Sequence, residues 1–120
     1  EVDESDQHKI INYLIQEKYI DEKRFAIAYA KDKFKYNKWG KIKISYQLNL
    51  KQISKNIIEQ ALKAIDNDEY NALILKLAKD KLKKITFKSE YEKKGKLARF
   101  LSGKGFENEM IYKVLEELEF

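Results

Sequence analysis

Cysteine and proline are absent from the 120 residues, glycine occurs four times, and tryptophan, histidine and methionine occur once each. Without cysteine there is no disulfide framework and no thiolate zinc site. Without proline there is no polyproline linker and no collagen-like repeat. No apolar run approaches the roughly 20 residues that a membrane-spanning helix needs, and no segment has the form of a signal peptide's apolar core. A cysteine-free chain suits a reducing cytosol, so the expected location is cytoplasmic. What is present is 43% hydrophobic and 38% charged, with a net charge of +5. The length allows one ordinary domain or a few small repeats around an affordable core, under a heavily ionised surface.

The charge is segregated. Residues 1–22 hold seven acidic and two basic side chains, whereas residues 31–55 hold eight lysines against Asp32 alone. Glu59, Asp66, Asp68 and Glu69 then face only Lys63, before eleven basic residues between Lys76 and Lys104 face Asp80, Glu90 and Glu92. The final block is acidic again, with five glutamates and Lys113. Alternating blocks favour an extended polyanion or a charge-patterned partner. The plainer alternative is a lysine-rich solvated surface.

Apolar spacing is helical nearly throughout, which predicts an all-α protein of about seven helices. Ser5 is placed to cap a first helix with a buried stripe of Ile10, Ile11, Tyr13, Leu14 and Ile15. Asp21 is placed to begin a second, carrying Phe25, Ala26, Tyr29, Ala30 and Phe34 inward, with a break at Asn37–Gly40. A third carries Ile44 and Leu48; Ser54 caps a fourth, and Asp66–Asp68 forms the turn and cap of a fifth. A looser stretch over 85–89 leads to a sixth, stopped by Gly103 and Gly105, and the last helix carries Met110, Ile111, Val114, Leu115 and Leu118.

These elements repeat. Lys9–Lys35 aligns with Ile57–Lys83 at a shift of 48, placing Ala30-Lys31-Asp32-Lys33 on Ala78-Lys79-Asp80-Lys81. Ile44–Ile65 aligns with Leu97–Leu118 at a shift of 53, placing Leu48 on Leu101 and Ile53 on Phe106. Helical repeats of this period stack neighbour on neighbour, so tandem three-helix repeats in an elongated, curved array are expected. The boundaries are 1–19, the last helix of an incomplete first repeat; 20–66, a second repeat; and 67–120, a third. The register leads us to expect a further partial or complete repeat before Glu1.

Asp21-Glu22-Lys23-Arg24-Phe25-Ala26, followed by Tyr29, Lys33, Trp39-Gly40, Lys41, Ile44, Leu48, Ile53 and Ala61-Leu62, resembles the RecX family of regulatory proteins. The resemblance returns at Leu97-Ala98-Arg99-Phe100-Leu101, Lys104-Gly105-Phe106, Ile111 and Val114-Leu115, so it runs over nearly the whole chain in order. One departure is Gln52, where the family usually has glycine; a left-handed backbone there would cost about 1 kcal/mol. The resemblance implies a non-enzymatic modulator of the RecA recombinase. It would bind the RecA–single-stranded DNA filament and typically inhibit ATP hydrolysis, strand exchange and filament growth.

The residues themselves point away from catalysis. His8 stands alone, and Asp66-Asn67-Asp68-Glu69 lacks the glycine and later glutamate of a calcium loop. Gly103 and Gly105 follow no strand and precede no Lys-Ser/Thr pair, so they form no phosphate loop. No enzyme, cofactor or metal is expected. The basic residues carry the functional reading. Arg24, Lys31 and Lys35 share a helix face with Ala28, and Lys76, Lys79 and Lys83 share the equivalent face with Ala72. Lys43 and Lys96 echo this on the following helices, as do Lys51 and Lys104 at their ends. Trp39, with Lys38, Lys41 and Lys43 around it, is suited to stacking on a base or entering a protein pocket; the plainer role is an aromatic plug joining two repeats. The expected RecA and DNA contact set is Arg24, Lys31, Lys35, Lys38, Trp39, Lys41, Lys43, Lys76, Lys79, Lys83, Lys96, Arg99 and Lys104. The expected partners are the RecA filament and single-stranded DNA, the latter bound weakly alone, with the protein a monomer. A direct DNA-binding helical module is the alternative, although few base-reading Arg, Asn or Gln are available. A helical protein–protein scaffold is the third reading.

Overall fold

A computed structural model describes residues 4–118 and folds them into six helices: α1 (Glu4–Asn37), α2 (Lys41–Leu50), α3 (Lys55–Lys63), α4 (Asn67–Leu82), α5 (Glu90–Gly103) and α6 (Asn108–Glu117). Among the described residues there is no strand, and no helix is long and apolar enough to cross a membrane. The second half of α1 closes a three-helix unit with α2 and α3, and α4, α5 and α6 close another.

The helix count corrects the sequence expectation of seven. α1 runs unbroken through Asp21, and Ser5 lies inside it. No glycine or proline separates Ile15 from Asp21, and Gln16, Glu17, Lys18, Glu22 and Lys23 are all favourable helix formers, so nothing breaks the hydrogen-bond ladder. The expected core stripe of Ile10, Ile11, Tyr13, Leu14 and Ile15 is instead 52–63% exposed, on an arm whose residues 5–20 are all exposed. Tyr19 ties this arm to α3 by accepting hydrogen bonds from Gln60 (2.8 Å) and Asn56 (3.4 Å). Phe25 is about half exposed, because the small Ala26 and Ala30 occupy the face of α1 that approaches its neighbours.

Elsewhere the local signals hold. Ser54 accepts from the Ile57 N–H, Asp66 from the Glu69 N–H, and Ser89 from the Glu92 N–H, so each occupies a helix N-terminus and satisfies a backbone donor there. The repeat register is seen directly in the core. Ala30 and Ala78 are both fully buried, as are Ile44 and Leu97, and Leu48 and Leu101. Helices α2 and α5 end alike. The Ile53 and Phe106 N–H groups donate to Leu48 and Leu101, and the Gln52 and Gly105 N–H groups to Asn49 and Ser102, the double bond of a Schellman end. Gln52 sits at φ 65° and Gly105 at φ 92°, so the glutamine does adopt the left-handed backbone.

The two units meet along a narrow seam between residues 40–43 and 104–106. Gly40 N–H donates to the Lys104 carbonyl (2.7 Å) and Ile42 N–H to the Gly105 carbonyl (2.9 Å). Gly40 has an extended backbone open to any residue, so its role is proximity: an added Cβ would stand 2.3 Å from the Gly105 carbonyl. Tyr70 fills the joint between Phe34 and Phe106, with ring centroids 5.8 and 5.5 Å away. Its hydroxyl accepts from the Lys41 N–H (2.9 Å) and donates to the Glu107 carboxylate in a short bond.

Candidate functional site

The two expected lysine stripes form outward faces. At 3.6 residues per turn, Arg24, Ala28, Lys31 and Lys35 lie roughly 140–200° around α1 from the buried Ala26. Ala72, Lys76, Lys79 and Lys83 stand in the same relation to the buried Ile74 on α4, and all eight residues are exposed. The ion pairs Lys18–Glu22, Lys93–Glu90 and Lys96–Glu92 lie off both stripes, and no stripe lysine or arginine is in an ion pair among the described residues.

The other expected residues are scattered. Lys96 is committed within its own unit, bonded to the Thr86 carbonyl at 2.5 Å and to Glu92 at 3.1 Å. The Glu92 carboxyl is held below its usual range, first by Lys96 and then by the Lys88 N–H. Arg99 lines a shallow groove between α5 and α6 with Tyr91 and Tyr112. Lys104 caps α5 and gives its carbonyl to the seam. Lys38 is exposed at φ 58°, turning the chain out of α1. Lys41 reaches back over the Tyr70 ring, 4.7 Å from its centroid.

Around Trp39 the structure assembles something denser. The indole stands edge-on to Tyr29, with centroids 6.5 Å apart, and Tyr29 in turn lies 5.8 Å from Phe25. Lys33 Nζ sits over both rings, 5.2 Å from Trp39 and 5.5 Å from Tyr29. Lys43 Nζ approaches Trp39 at 4.9 Å and Lys51 Nζ approaches Tyr29 at 5.6 Å. Cation–π contacts of this kind contribute about 0.5–1 kcal/mol each at exposed sites, which offsets repulsion among the three ammonium groups. Partial burial pushes the Tyr29 phenol up.

Trp39 therefore packs within its own unit, and the aromatic that joins the units is Tyr70. Lys33 lies outside the expected contact set, and Lys51 entered only as a helix-end lysine. The signal for Lys33 was the spacing Phe25–Tyr29–Lys33, which places all three on one side of α1. A reading that followed lysines alone selected the outward stripe instead.

Comparison with known proteins places the chain in a context. Residues 21–62 match the family model described as RecX, second three-helix domain, and residues 68–115 match RecX, third three-helix domain. A regulatory protein RecX of Clostridium botulinum is 37% identical over 117 residues, covering 96% of this chain and 54% of that protein. A regulatory protein RecX of Clostridium tetani is 36% identical over 112 residues, covering 92% of this chain and 51% of its own length. The chain thus spans about half the length of these relatives. The crystal structure of RecX from Lactobacillus salivarius superposes with a TM-score of 0.78 at 27% identity, covering 99% of this chain and 77% of that one.

Proposed function

The chain belongs to the RecX family of regulatory proteins, and from that premise we propose that it is a modulator of the RecA recombinase, acting in recombination and DNA repair by binding the RecA–single-stranded DNA filament. In this reading residues 1–19 close one three-helix repeat, with α1 running on without a break into the first helix of a second repeat, 20–66, and residues 67–120 form a third. The protein works in the cytoplasm as a monomer, without catalysis or a cofactor. Its effect is to inhibit ATP hydrolysis, strand exchange and filament growth.

The observation that carries this reading is the repetition of one unpaired cationic face, on α1 and again on α4, along a molecule 78 Å long and about 22 Å wide. A periodic target suits a periodic surface. Lysine favours sequence-independent phosphate contact over base reading, which fits a filament more than a duplex operator. The acidic blocks would repel naked DNA, whereas a nucleoprotein filament offers surfaces of both signs.

The test is binding measured separately on RecA-coated single-stranded DNA, on RecA alone and on naked single strands at physiological salt. Tighter binding to the filament is expected, with loss of RecA's ATPase at ratios well below one to one. Equal competition by naked strands would instead favour the simple DNA-binding module.

A further inference from the structure

The second unit repeats the aromatic–lysine cluster of the first only in part, with Lys81 over Phe100 and Lys93 over Phe87, the residue that corresponds to Trp39. At the 48-residue shift Tyr29 corresponds to Leu77, which packs acceptably at the same level of burial. Lys33, Lys43 and Lys51 correspond to Lys81, Lys96 and Lys104. There, however, Lys96 is neutralised by Glu92, and Lys81 rests on Phe100 at 4.9 Å. Around Tyr29 and Trp39, three ammonium groups are gathered on one aromatic pair, and none of the three is in an ion pair among the described residues. Concentrated positive charge without a partner is chemically incomplete, and it calls for an anion of matching multiplicity.

The rings narrow the choice of anion. Lysine ammoniums already sit over Tyr29 and Trp39, so those rings act as the scaffold that positions charge. Phe25, 46% exposed and stacked at a tilt on Tyr29, has no cation over it and leaves a ring open at the edge of the cluster. A ligand that lays phosphates on the lysines and an unpaired base on Phe25 satisfies both halves. A duplex satisfies only the first, because its bases are already stacked.

We propose that Phe25, Tyr29 and Trp39 with Lys33, Lys43 and Lys51 form a binding site for single-stranded nucleic acid, with consecutive phosphates held by the three lysines and a base stacked on Phe25. The site flanks the outward stripe of Arg24, Lys31 and Lys35 and is a different surface from it. It rests on the filament reading for its biological partner, since the strand within a RecA filament is the one this protein would meet.

Trp39 is the sole tryptophan, so tryptophan emission, excited selectively over the eight tyrosines, reports on this site alone. Titration of the intact protein with a short oligo(dT) strand is expected to change Trp39 emission in parallel with the anisotropy of a labelled strand. Replacing Lys33, Lys43 and Lys51 together by Gln should lower the log–log salt slope by about 2, from a contribution of about 0.7 per phosphate on single strands. Phe25→Ala should weaken binding roughly tenfold while leaving that slope unchanged, the signature of a lost stack. Circular dichroism on each variant checks that the helices persist. Strand binding without any change in Trp39 emission would overturn the proposal, as would an unaltered affinity and slope in the folded triple variant. A matched duplex bound equally well, or inorganic phosphate displacing the strand at equal phosphate concentration, would also overturn it. None of these measurements contains RecA, so failure of the site is distinguishable from failure of the filament reading, which is decided by the RecA-coated strand.

Discussion

Tyr70 is reached from both units at once: the Lys41 N–H approaches from one side and the Glu107 carboxylate from the other. Burial, with the Glu107 contact, raises its phenol far above the ordinary value of 10.0. A proton retained on folding stabilises the fold fully below the unfolded pKa, and that contribution is lost as pH rises above about 10. Urea midpoints for the protein are therefore expected to fall between pH 9 and 11 more steeply than those of Tyr70→Phe. Parallel curves would show that the hydroxyl does not couple to folding. At neutral pH Tyr70→Phe should cost about 1–2 kcal/mol, because a half-buried donor and a carboxylate lose their partner together. Gln52 gives the opposite sign. At φ 65° it occupies the position that Gly105 fills in the next unit, so Gln52→Gly should raise stability by about 0.5–1 kcal/mol in the same urea assay. A lower midpoint would mean that the glutamine side chain compensates for its backbone.

α1 shows how far a helix can be read from its sequence. The apolar spacing at Ile10–Ile15 correctly marks helix, and it marks which face is apolar, but periodicity carries no information on whether that face is covered. The same limit applies to Phe25, whose neighbour Ala26 takes the buried position. Caps were legible at Ser54 and Asp66 because they depend on residues three apart in sequence. The joint at Tyr70 was not, because its partners Phe34, Phe106 and Glu107 lie 36 or 37 residues away, and no local pattern links them. The outward lysine stripes were legible from 3.6-residue spacing. Of the cluster around Trp39 the neighbouring Lys43 was legible, whereas Tyr29, Lys33 and Lys51 were not, since they join it from α1 and from the far end of α2. A contrast between two substitutions tests the element-scale picture. Ile15→Ala, on the exposed arm, should change stability by less than about 0.5 kcal/mol, and Ile74→Ala, fully buried in α4, should cost about 2–5 kcal/mol. Hydrogen exchange should agree, with amides of residues 8–16 exchanging far faster than those of residues 26–34. Equal protection would show that the arm is covered in solution.

A compact domain of this length would have a radius of gyration of roughly 14 Å, against 20.1 Å here. The difference comes from the exposed N-terminal arm of α1 and from two units joined by little more than the seam at Gly40 and Gly105 and the Tyr70 ring. That makes the spacing between the α1 and α4 stripes a property of the joint. In the proposed filament reading, two weak cationic faces held at fixed separation act as one bivalent ligand, whose second contact forms at an effective concentration set by the rigidity between them. Loosening the joint should therefore weaken filament binding without altering either stripe. Tyr70→Leu keeps an apolar filler but removes the hydroxyl and most of the ring. Its helical circular dichroism should be preserved, while small-angle scattering should show a broader distance distribution than that of the parent protein. Affinity for the RecA-coated strand should drop about tenfold. A short oligonucleotide reaching only the α1–α2 cluster should bind as before, because none of that cluster's ring or ammonium contacts involves Tyr70. If filament affinity survives a scattering profile that has clearly broadened, the two stripes do not bind as a pair, and the length of the molecule plays no part in its grip on the filament.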